Sequence, residues 1–123
     1  MATAYEKFSA INQIRVQQSA GAAETLTIPG SIVNGGNAYT VLGALVQVIT
    51  AAGGSTCTIS IGASSALGTA LSTTAAGTFG YVLSNTFSDL QGAAGSDISI
   101  AIAGGAAQVA VTLFIGSDVP ADA

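Results

Sequence analysis

The sequence predicts an all-β protein: a single β-sandwich, jelly-roll-like, or a small barrel, with about seven or eight short strands. Three observations carry this. Apolar residues recur at period two in at least five segments, the spacing that sets one face of a strand against a core. Clusters of Gly, Pro and Asn interrupt that alternation at roughly eight- to twelve-residue intervals, as turns between short strands do. No linker and no repeat of solenoid period divides the 123 residues, so one domain is expected.

Taken in order, residues 1–10 are polar and mixed and read as an N-terminal arm. Residues 11–119 form the sandwich domain and residues 120–123 a tail. A first strand covers residues 11–18, with Ile14 and Val16 on one face and Arg15 and Gln17 on the other. A second covers residues 24–28, with Leu26 and Ile28 inward, and Pro29-Gly30 ends it in a turn. After the turn cluster Asn34 to Asn37, residues 39–50 form a long strand. Leu42, Ala44, Val46 and Val48 share one face and Val41, Leu45 and Ile49 the other, so this strand should be covered on both sides. Residues 56–61 alternate cleanly, with Cys57, Ile59 and Ile61 inward. Residues 63–76 are small and polar, and Leu67 and Leu71 carry the spacing of a short helical turn. Phe79, Tyr81 and Leu83 mark another strand, with Phe79 and Tyr81 on a common core face. The chain closes with Ile98, Ile100 and Ile102, then Gly104-Gly105, then Val109, Val111, Leu113 and Ile115, which reads as a hairpin with a glycine turn.

Composition narrows function mainly by exclusion. There is no His and no Trp, and the only cations are Lys7 and Arg15. Without His there is no imidazole base or metal ligand. Asp89 and Asp97 flank one loop, but two acids bounding a polar loop read as solvated surface rather than as a catalytic pair or a calcium site. The glycine pairs match no phosphate-binding fingerprint. Cys57 alternates with isoleucines and reads as a small buried hydrophobe. No enzymatic activity, cofactor or metal is therefore expected.

Net charge is −4, and two cations cannot build a phosphate-tracking stripe, so nucleic acid is not an expected partner. The start of the chain lacks the basic and apolar regions of a signal peptide. Residues 98–115 approach membrane-spanning length, but their alternation and the glycine pair favour strands over a membrane helix. Only 7% of residues are charged, far below the ~25% of ordinary domains, and Ala, Gly, Ser and Thr dominate. A core built of such small units stabilises weakly, and self-association is the expected remedy. The expected contact residues are Tyr5, Lys7, Phe8 and Arg15, whose aromatic and cationic types anchor interfaces, and Phe114. The last shares a small, neutral strand face with Gln108, Ala110 and Thr112.

Residues 41–51, residues 53–64 and the closing run 97–115 resemble small virion proteins of tailed bacteriophages, namely head decoration (cement) proteins and β-sandwich modules of head or tail fibres. The resemblance covers about residues 40–119 and lies in strand order, glycine turns and an uncharged texture. It implies a virion protein on the outer capsid surface that clamps the major capsid protein, as a homotrimer. The alternative it leaves open is a fibre module that binds a receptor or carbohydrate.

Overall fold

The computed structural model describes residues 11–62 and 65–117. The elements are β1 (Ile11–Gln17), β2 (Thr25–Ile28), the one-turn helix α1 (Gly30–Val33), β3 (Tyr39–Thr50), β4 (Thr56–Ile61), β5 (Ser65–Ala66), β6 (Leu71–Ser72), β7 (Gly77–Gly80), a 3-10 turn (Phe87–Leu90), β8 (Gln91–Gly92), β9 (Ile98–Ala103) and β10 (Gln108–Ser117). They form two antiparallel sheets. One runs β1-β10-β3-β7, with β8 also paired to β3; the other runs β2-β9-β4-β5, with β6 also paired to β4. The architecture is thus an all-β sandwich, as the alternation predicted.

Two of the strand paths are interrupted. β5 and β6 pair with opposite ends of β4, and β7 and β8 with opposite ends of β3. Each pair is one broken strand, which reduces five strands per sheet to four paths. The two interruptions meet. Gly68 and Leu83 form an isolated antiparallel bridge, and the Ser84 N–H donates to Leu67 O. A Cβ at Gly68 would lie 1.9 Å from the Val82 carbonyl oxygen, so only glycine allows this approach. Below it, the Tyr81 hydroxyl donates to Gly68 O at 3.3 Å and accepts from Ile59 N–H at 3.2 Å. The two sheets are stitched along this edge, where they would otherwise expose unpaired strands.

The opposite edge is joined by Gln18, which is 2% exposed. Its Oε1 accepts from Val109 N–H at 2.9 Å, while its Nε2 donates to Ala22 O at 3.1 Å and to Glu24 Oε1 at 2.9 Å. A buried amide with its donors and acceptor all engaged ties the end of β1 to β10 and to the start of β2.

The structure corrects four expectations. β9 and β10 are not a hairpin. β9 pairs with β2 and β4, and β10 with β1 and β3, so Gly104-Gly105 carries the chain between sheets. Their apolar faces meet across the core instead of lying side by side. The core is also not made of small residues. Val41, Val46, Ile59, Ile98, Ile100, Val109, Val111, Leu113 and Ile115 are fully buried. Residues 65–72 are extended rather than helical, because Leu67 is drawn into the core at 0% exposure. Finally, β3 changes phase. Val41 pairs with Ile115 and Gly43 with Phe114, leaving Leu42 as the extra residue of a β-bulge; Ile49 is bulged likewise between Val48 and Thr50. Val41, rather than Leu42, joins Ala44, Val46 and Val48 in the core.

Candidate interaction face

Among the described residues, the side chains able to do chemistry are occupied by the fold. Burial pushes the Cys57 thiol up to about 11, away from the thiolate that would react. Burial, and then the charge of Asp97, push the Tyr39 hydroxyl up to about 12, and that hydroxyl donates to Ser96 O at 2.8 Å. Burial likewise raises the Tyr81 hydroxyl. Asp97 Oδ1 accepts from Gly30 N–H at 2.8 Å and Asp89 Oδ2 from Ser84 Oγ at 2.7 Å, so the two acids that flank one loop serve different partners. Among the described residues no group of three or more His, Cys, Asp or Glu gathers to hold a metal. No helix of the described residues is long and apolar enough to cross a membrane.

What the structure offers is a surface. The outer face of the β1-β10-β3 sheet carries Leu42, Leu45 and Ile49 at 37, 41 and 38% exposure. The bulges explain two of these, because each sets an aliphatic side chain of β3 out of step with the core-facing residues. The sequence predicts that β3 is covered on both sides; among the described residues only its inner side is. Phe114, half-buried, lies beside Gly43, where a Cβ would sit 3.6 Å from its Cδ2.

Arg15 stands on the same face. The register aligns Arg15, Thr112 and Leu45 in one row and Gln17, Ala110 and Gln47 in the next. Its guanidinium donates to Gln17 Oε1 at 2.6 Å and to Gln47 Oε1 at 3.3 Å, bridging β1 to β3 across β10. Ala110, which separates the two glutamines in that row, is 2% exposed although it points outward. A small residue there leaves the space the bridge needs. No described carboxylate pairs with Arg15, so its charge is held by neutral acceptors and remains available to an acid from outside.

Of the expected contact residues, Arg15 and Phe114 therefore fall on one face. Tyr5, Lys7 and Phe8 lie outside the described residues. The neutral faces of β9 and β10 do not combine, since Ser99 and Ala101 belong to the other sheet. Leu42, Leu45 and Ile49 were not singled out from the sequence as contacts. Their signal was the apolar second face of β3, which reads equally as a strand buried on both sides.

No family model matches this chain, and no curated protein matches it. Among solved structures, a chain in the capsid of Ralstonia phage GP4 is similar to it, with a TM-score of 0.56 and 16% sequence identity. The similarity covers 98% of this chain and 92% of that chain. At this identity the likeness is one of fold, and it extends over nearly the whole of both chains.

Proposed function

We propose that this chain is a non-enzymatic structural protein of a bacteriophage virion. In its finer form, it is a decoration (cement) protein that sits as a homotrimer on the outer capsid surface and holds neighbouring copies of the major capsid protein. The observation that carries the proposal is the exposed aliphatic face with Arg15, with which no described carboxylate pairs, among described residues whose reactive groups are engaged in the fold. The near full-length likeness to a chain of a phage capsid supports the same reading. So does strand order. Counting each broken strand once gives 1-8-3-6 in one sheet and 2-7-4-5 in the other, the double Greek key of a jelly roll, a fold common among viral capsid domains.

The partner surface follows from chemistry. It is flat and apolar enough to cover Leu42, Leu45 and Ile49, and it presents a carboxylate to Arg15. A second copy packed on this face would bring another Arg15 and, from β1, β3 and β10, no carboxylate to pair with it, so the face suits the capsid protein better than itself. Fully burying the exposed two-fifths of three aliphatic side chains yields only about 2–3 kcal/mol. Association costs on the order of 4–15 kcal/mol, so one copy grips weakly. Trimerisation supplies the remedy, because three linked sites bind with an effective concentration that one site lacks. The N-terminal arm, with Tyr5, Lys7 and Phe8, is proposed as a further contact with the shell.

Two measurements test this. Quantitative mass spectrometry of purified particles should find the chain at on the order of hundreds of copies, as repeated symmetric sites require. A handful of copies at one vertex would replace the cement reading with the fibre module. The pair Arg15→Glu and Leu45→Asp should leave the circular dichroism spectrum and sedimentation unchanged and abolish binding to undecorated shells. Full binding by the pair would overturn the assignment of the face.

A further inference from the structure

We propose that the pocket where the two strand interruptions meet is a binding site for a neutral saccharide, a role separate from the docking face and independent of it. The pocket is open, about 480 Å³ in volume, and lined by side chains that include Thr69, Val82, Leu83, Ser84, Asn85 and Asp89. That volume lies in the range of small-ligand sites.

Its construction is rigid where a loop insertion need not be. Gly68 is pinned between the Val82 carbonyl and the Tyr81 hydroxyl. The Ser84 N–H is held by Leu67 O, its hydroxyl donates to Asp89 Oδ2 at 2.7 Å, and Ser84 Oγ in turn accepts from Thr86 N–H at 3.0 Å. Asp89 N–H in turn donates to Thr86 O at 3.0 Å. The network fixes the Asp89 carboxylate through one oxygen, and Oδ1, which has no hydrogen-bond partner among the described residues, can accept from a ligand. A site whose polar groups are already oriented pays less entropy on binding.

Three features select the ligand. A carboxylate oxygen, an amide and a hydroxyl within one small pocket match the hydroxyl groups of a sugar, which both donate and accept. Val82, at 72% exposed, is the most exposed large hydrophobic residue among those described, and nothing in the fold calls for it there. It suits the C–H face of a sugar ring. No cation is among the described residues that line the pocket, which disfavours anionic ligands. Asp89 is the one acid among the described lining residues, and a single carboxylate falls short of the six to eight oxygen ligands that calcium takes.

The test is a heteronuclear NMR titration of the free, 15N-labelled full chain with glucose, galactose, mannose and N-acetylglucosamine. Sialic acid and calcium chloride serve as comparisons. At least one neutral sugar should give saturable shifts confined to Gly68, Thr69 and residues 82–90. Asp89→Asn should weaken binding about tenfold or more, the usual loss when a hydrogen bond to a charged acceptor goes. Because Asp89 also holds the loop through Ser84, Thr69→Val provides a second reading at a residue outside that network, and it too should weaken binding with the spectrum otherwise preserved. Absence of saturable shifts with every neutral sugar overturns the proposal. So do shifts at these residues from calcium alone, preference for sialic acid, or unchanged affinity in both variants. Shell attachment plays no part in this readout, so its failure leaves the docking face untouched.

Discussion

Replacing Gln18 by Glu changes one NH2 group to an oxygen at the junction of both sheets, with no change in size. The new Oε1 still accepts from Val109 N–H. The lost Nε2 had donated to Ala22 O at 3.1 Å and to Glu24 Oε1 at 2.9 Å, and an oxygen in its place faces two acceptors at hydrogen-bond distance. One neutral bond, worth about 0.5–1.5 kcal/mol, and one to a charged acceptor, worth about 1.5–3 kcal/mol, disappear. Like-charge repulsion at a position 2% exposed adds to this. The expected loss is about 3–5 kcal/mol at pH 7, or roughly 10–20 °C in melting temperature for a domain of this size. Burial and the neighbouring Glu24 raise the folded-state pKa of the new carboxyl above its unfolded value. The penalty is therefore largest well above that folded pKa and fades as pH falls toward about 4, where the protonated carboxyl again donates to Glu24. Urea unfolding of both proteins between pH 4 and pH 7 measures the difference. A loss under about 1 kcal/mol at pH 7, or one that does not shrink on acidification, would refute the reasoning that this amide joins the sheets.

Three further outcomes follow from the same structure. Gly68→Ala places a Cβ 1.9 Å from the Val82 carbonyl oxygen, so the two broken strands must part; a loss of roughly 2–4 kcal/mol by urea midpoint is expected, and a loss below about 0.5 kcal/mol would mean that the stitch is absent in solution. Cys57 and Tyr39 both prefer their neutral forms when folded, so their contribution is complete below pH ~9. It declines as pH rises, first through the range ending at about 11 for Cys57 and then through that ending at about 12 for Tyr39, by up to ~1.4 kcal/mol per pH unit for each group. Cys57→Val should delay the onset of that decline, and a stability profile already flat from pH 9 to 11 in the parent chain contradicts it. The buried Thr73 hydroxyl has no hydrogen-bond partner among the described residues, so Thr73→Val should raise stability by about 1 kcal/mol in thermal unfolding, and a drop of that size would reveal a partner for the hydroxyl.

Much of this protein is legible one strand at a time. The alternation of Cys57, Ile59 and Ile61, of Ile98, Ile100 and Ile102, and of Val109 to Ile115 places each run in the core, and each is buried. Period two is a local property, since a strand turns every second side chain to the same side whatever lies beside it. The absence of His and the scarcity of cations are equally local, and they frame the protein as one that presents a surface. Strand partnership is not local. Alternation says which face of β9 and β10 is buried but not that they lie in opposite sheets, so two inward faces looked like one face of a hairpin. The bulges at Leu42 and Ile49 arise from mismatched spacing between β3 and β10, which neither strand reveals alone. That mismatch decides which aliphatic residues meet solvent, and with them the proposed interaction face. The pocket has the same origin. The low-contrast residues 65–76 and the loop beyond Tyr81 acquire a shape only where Gly68 meets Leu83, a contact between two sheets that is set by tertiary packing and carries no periodic signal in either segment.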